Sequence, residues 1–151
     1  MMERTGRFLA LALSVVGVGV ISLLIVATGL GAIGRYLHLN GVTWSFELVG
    51  MLFLWTTAIG AVLAEIAGEN VSIDGNSITS SRGAFFRVYH NLILLIVAAA
   101  MVWSGSAMLG RTGFVPTPVM RAPSWTVHST IVFMGLCLGA VAITRIVRIF
   151  R

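Results

Sequence analysis

Residues 8–34 read FLALALSVVGVGVISLLIVATGLGAIG, a run without one charged side chain, closed off by Arg7 on one side and Arg35 on the other. An α-helix rises about 1.5 Å per residue, so this run would reach about 40 Å. A bilayer's hydrocarbon core is about 30 Å thick and takes about 20 apolar residues to cross. The run is therefore long enough to span. It is too long for the apolar region of a secretory signal, which covers about 7–15 residues, and it reads as a retained helix. Alternation of the strand kind is absent. In lipid every backbone N–H and C=O must find its partner internally, which makes such a run helical.

Three more runs of the same kind follow. One extends from Trp44 to Ala64, its uncharged core bracketed by Glu47 and Glu65. Another covers 88–110, between Arg87 and Arg111. The last covers 125–147 and starts after Pro123, which suits a helix entry better than a helix interior. The expected fold is an all-α integral membrane protein of four transmembrane helices, with 1–151 as one membrane domain. Composition agrees: 58% of residues are hydrophobic and only 10% charged, against about 25% charged in a soluble domain. The net charge of +5 does not point to nucleic acid, because the arginines sit at the ends of apolar runs and form no basic stripe.

Orientation follows from those arginines. Arg4, Arg7, Arg82, Arg87, Arg145, Arg148 and Arg151 fall on one side of the four spans, and Arg35, Arg111 and Arg121 on the other. The positive-inside rule puts the larger group in the cytoplasm. Both chain ends are then expected inside, with Trp44 and Trp125 at the outer interface. The outer loops are short. The second holds Pro116, Pro118 and Pro123 and is expected to be stiff and extended. The longer polar loop, 65–87, is cytoplasmic, with a turn at Asp74-Gly75-Asn76. Residues 80–86 suggest a short interfacial helix, with Phe85 and Phe86 dipping into the bilayer surface.

Few motifs invite chemistry. Gly29, Gly31 and Gly34 match G-x-G-x-x-G, but they end a transmembrane helix where the dinucleotide motif needs a strand, a turn and a helix. Gly135 and Gly139 form a G-x-x-x-G that would let another helix approach closely, although glycine is common in membrane helices. His90 opens the third span and His128 the fourth, roughly a bilayer apart, so they cannot share a haem iron. Asn70-Val71-Ser72 has the form of a glycosylation acceptor on the wrong side of the membrane. The lone Cys137 reads as a packing residue. Ser45 is expected to cap the second helix, leaving Glu47 in its first turn, where the helix dipole favours an acid. Arg35 at the end of the first helix is favoured likewise. The two read either as helix-end charges, close enough in the chain to pair with each other, or as a contact for a partner.

No span carries Asp, Glu, Lys or Arg near its midpoint. Ion-coupled transporters place charged or broken-helix sites there. No paired-carboxylate, nucleophilic or metal-ligand set is present either, so no cofactor and no enzyme activity are expected. The residues alone favour an accessory or scaffolding membrane subunit. A stand-alone small transporter and the membrane anchor of a redox complex are the alternatives.

A resemblance narrows this. Gly34-Arg35-Tyr36 is followed by Trp44-Ser45-Phe46-Glu47-Leu48, then Phe53-Leu54-Trp55, Gly60 and Val71-Ser72-Ile73-Asp74. This series resembles the small membrane subunit (DctQ type) of tripartite ATP-independent periplasmic (TRAP) transporters. Phe46 stands where the family often has a first acid, and Gly68-Glu69-Asn70 where it often has glycine-glycine-histidine. The resemblance implies a multi-pass protein of the bacterial inner membrane, working in sodium-driven uptake of an organic acid. It implies a periplasmic substrate-binding protein and a large membrane subunit as partners, with sodium and substrate bound by the large subunit and not by this chain. The small subunit would brace the large one and help dock the binding protein. Arg35, Trp44, Ser45 and Glu47 are expected to set the outer end of that brace, and Asp74 to order the cytoplasmic loop.

Overall fold

The computed structural model describes residues 2–38, 41, 43–68 and 81–149. Among the described residues there are four helices: α1 (Met2–Tyr36), α2 (Trp44–Ala67), α3 (Ser81–Thr112) and α4 (Trp125–Ile149). Each contains a stretch long and apolar enough to cross a membrane, namely Ala10–Tyr36, Trp44–Ala67, Val88–Thr112 and Trp125–Val147. The all-α fold with four transmembrane helices is the fold observed. Several hydroxyls inside the spans turn back onto their own helix, as in Ser14 to the Ala10 carbonyl (2.8 Å), Thr28 to Leu24 (2.7 Å) and Thr57 to Phe53 (2.9 Å). A hydroxyl bonded this way can lie in hydrocarbon without an orphaned donor.

The helices pair as two hairpins. In the first, α1 lies against α2 and runs opposite to it, with Gly17 facing Ile59 and Gly31 facing Ser45. A Cβ on Gly31 would sit 2.7 Å from the Ser45 hydroxyl oxygen, so only glycine permits this approach. In the second, α3 lies against α4, with Gly105 facing Val132 and Gly135 facing Ala98 and Val102. Small residues let helix backbones come close where lipid offers no hydrophobic drive for association. The hairpins meet along α2 and α4. These two run in the same direction, since Met51 meets Thr126 near their starts and Glu65 meets Arg145 near their ends. The helix order across the molecule is thus α1, α2, α4, α3.

Val62, Ala98 and Leu138 form the buried core where α2, α3 and α4 converge, and Leu13 of α1 packs against it. Many large apolar side chains point outward, on every helix, among them Val15, Ile25, Phe53, Ile96, Trp103 and Leu136. A soluble monomer rarely shows a contiguous apolar surface of this extent. Here that surface faces lipid or another membrane protein.

Three local expectations change. Helix α3 is continuous from Ser81, so residues 81–86 are its first turns and not a separate interfacial helix. Helix α2 continues past Ala64 to Ala67, where Gly68 ends it in the left-handed conformation (φ 72°) with its N–H on the Ala64 and Glu65 carbonyls. Glu65 is therefore a helix residue. The proline-containing loop between α3 and α4 is not extended but folds back as a hairpin. Ser124 donates its N–H to the Val115 carbonyl (3.0 Å) and Thr117 to the Ala122 carbonyl (2.8 Å), with Pro116 opposite Pro123. Adjacent antiparallel helices joined by a dozen residues require a reversal, and the prolines sit where the hairpin asks for no donor. Asp74 lies outside the described residues.

Candidate functional site

Glu47 and Glu65 stand eighteen residues apart on α2. That spacing is five full turns at 3.6 residues per turn, or about 27 Å. Both carboxylates consequently lie on one face of the helix, the face that meets α4. Between them the same stripe carries Met51, Trp55, Ala58 and Val62. The Trp55 indole N–H donates to the Thr126 carbonyl (3.2 Å), and its ring lies 5.6 Å from that of Phe133.

At one end, Glu47 sits in the first turn of α2. Its two oxygens accept the backbone N–H groups of Val119 (2.9 Å) and Met120 (2.8 Å), at the tip of the α3–α4 hairpin. Consecutive N–H groups aimed at one anion form a backbone nest. The hairpin shapes this nest itself. Arg121 takes a left-handed φ of 51° and donates its N–H back to the Thr117 carbonyl (3.1 Å), while Ala122 donates to the Thr117 hydroxyl (3.1 Å). Gly113 is needed at the exit of α3, where a Cβ would run into the Leu109 carbonyl oxygen.

The neighbours expected beside Glu47 have other engagements. Arg35 lays its guanidinium over the Phe46 ring, 4.9 Å from the centroid, and its Nε reaches the Gly31 carbonyl at 3.3 Å. Residue 46, where the family often has an acid, thus supplies a ring for the cation. The N-cap of α2 is Thr43, without a side-chain capping bond. Ser45 lies one residue inside the helix, buried against Gly31 and not at the cap. Trp44 and Trp125 open α2 and α4 at this same end and are partly exposed. His128 meets the Thr112 hydroxyl at 3.0 Å.

At the other end, Glu65 is 2% exposed. The Arg145 guanidinium grips it twice, with Nη1 on the carboxylate and Nη2 on the backbone carbonyl. That carbonyl belongs to the last turns of α2, where a cation complements the helix dipole. Nε2 of His90, from α3, lies 3.9 Å from the same carboxylate oxygen. Three helices thus meet at one buried acid. Gly135 and Gly139, the spaced pair on α4, sit on the α3 side: a Cβ on Gly135 would stand 3.0 Å from the Ala98 carbonyl oxygen, and one on Gly139 3.5 Å from the Ala98 Cβ.

Residues 24–151 match the family of tripartite ATP-independent periplasmic transporters, DctQ component. The chain belongs to this family. A Haemophilus influenzae (strain Rd) protein, provisionally named a TRAP transporter small permease protein, is similar to it: 24% identical over 152 residues, covering 97% of this chain and 92% of that protein. This DctQ component is accordingly a multi-pass protein of the inner membrane and a part of a transporter. The tripartite family implies a large membrane subunit and a binding protein as its partners.

Sequence reasoning on this DctQ component singled out the Glu47 end and missed the Glu65 node. It treated Glu65 as the bracket of a span and Arg145 as an orienting charge. The spacing of the two acids was the available signal, since five whole turns place both on the face toward one neighbour. Nothing in the sequence said that the neighbour is α4.

Proposed function

We propose that this DctQ component is the small permease subunit that braces the large transport subunit during sodium-driven, binding-protein-dependent uptake of an organic acid. In this reading the large subunit binds sodium and substrate, and this chain binds neither. The observation that carries it is the use made of the charges within the spans. Glu47, Glu65 and Arg145 are engaged inside the chain, by a backbone nest and by each other. No span has an Asp, Glu, Lys or Arg near its midpoint. A substrate or ion pathway across a membrane is marked by such residues facing a cavity. What the chain offers outward is apolar surface, including a shallow groove of about 490 Å³ between α3 and α4 beside Trp103, with Ala98, Gly135, Gly139 and Ala140 in its wall.

The same proposal sets the orientation. Both ends lie in the cytoplasm, so Glu47 and the α3–α4 hairpin face the periplasm and Glu65 the cytoplasm, as the arginine asymmetry favours. Arg35, Trp44, Ser45 and Glu47 then shape the periplasmic end of the brace, Asp74 orders the cytoplasmic loop, and Gly135 with Gly139 seats α4 on α3. The test is to tag this chain, extract it gently and reconstitute what co-purifies. A stoichiometric large subunit, with sodium-dependent organic-acid uptake that needs both chains and the binding protein, is the expected result. Uptake by the isolated chain in liposomes would overturn the reading.

A further inference from the structure

We propose that Glu65 and Arg145 form the clasp that holds the two helical hairpins side by side, with His90 as its third member. The two hairpins are held internally in the same way, and the seam between them is held differently. Within each, glycines allow backbones to approach: Gly17 and Gly31 in α1–α2, Gly105 and Gly135 in α3–α4. The seam between them is α2 against α4, and these helices run in the same direction. Parallel neighbours place like ends of their dipoles together, which disfavours the pair where antiparallel neighbours are favoured. At the Glu65 end both helices present their negative ends. Arg145 sits between them and answers both problems, because one guanidinium nitrogen donates to the Glu65 carbonyl in the last turn of α2 and the other to the Glu65 carboxylate.

Neither charge could stand alone. Glu65 is 2% exposed and lies within the membrane-spanning stretch of α2. Charged residues at such depth pair with one another and face the interior. Removing one partner of a buried pair leaves an uncompensated charge, whereas removing both is far less harmful. This gives the clasp a signature that simple packing lacks. His90 approaches the same carboxylate from α3, so the clasp reaches both helices of the second hairpin.

The test uses the full chain in lipid nanodiscs, in a Cys137→Ala background, with spin labels on outward-facing positions of the outermost helices (Val18→Cys on α1 and Trp103→Cys on α3). The inter-label distance distribution and the melting temperature are read for Arg145→Gln, Glu65→Gln, the double variant and Glu47→Gln. The clasp predicts that Arg145→Gln lowers Tm by roughly 6–15 °C. It also broadens the distance by a good part of the about 8–10 Å between packed helices. The double variant recovers most of both losses, and Glu47→Gln keeps the wild-type distance. Equal distances in all variants, or a double variant as poor as the two single losses added, would overturn the proposal. Should Arg145→Gln not fold, Arg145→Lys with and without Glu65→Gln is read in its place, since lysine keeps the charge and loses the two-pronged grip. The measurement concerns this chain alone, so its outcome is separate from that of the brace reading.

Discussion

Glu47 and Glu65 are the same residue type on the same face of the same helix, yet the molecule uses them in opposite ways. Glu47 is held by neutral donors, two N–H groups of a loop, at an exposed end of α2. Water can replace such donors when they move away. Glu65 is itself buried and is held by a full charge from Arg145, with His90 the nearest other group that could carry one. The first arrangement positions a loop and the second joins helices. Environment decides the difference, because an ion's dependence on its partner grows as solvent is withdrawn.

The largest test of that contrast is Glu65→Ala. It removes the buried acid and its grip by Arg145 together, while the Arg145 side chain keeps about a third of its surface exposed, and is expected to cost about 3 kcal/mol, measured as a shift in the thermal or denaturant midpoint of the purified chain. A loss no greater than that of Glu47→Ala would break the comparison. Gly135→Leu comes next. It tests whether the α3–α4 packing is as critical as the clasp, since the new side chain would enter space held by Val102 and Ala98. Overpacking of this kind costs about 1–3 kcal/mol, and unfolding midpoints would show whether it falls below Glu65→Ala as expected.

Trp55→Phe keeps the ring against Phe133 but removes the indole donor to Thr126. A loss of about 0.5–1.5 kcal/mol is expected, again by unfolding. It would show how much of the seam's strength lies between the two acids. The smallest effect on global stability belongs to Glu47→Ala. It is expected to leave the midpoint almost unchanged while amide exchange at Val119 and Met120 accelerates, because only the hairpin is released. A large drop in the midpoint would mean that the hairpin, too, is part of what holds the fold.

Much of this was legible beforehand. The uncharged runs marked four spans because a bilayer admits little else, and the family resemblance lay in residues around Arg35 and Trp44–Leu48. The fate of the polar residues was not legible. Ser45 looked like a cap and proved to face Gly31, because α2 begins at Trp44 with Thr43 as its cap. Arg35 and Glu47 looked like a pair, and each found another partner. The prolines of the second loop suggested extension, and the loop reversed to suit the helices it joins.

The sequence by itself determined the number, the length and the helical nature of the spans, since hydrocarbon thickness and backbone hydrogen bonding constrain each segment separately. Tertiary structure alone decided which helix neighbours which, and so whom Glu65 meets. Apolar faces are nearly interchangeable in lipid, and a pairing such as α2 with α4 depends on where glycines allow backbones to close and where a buried acid finds its cation.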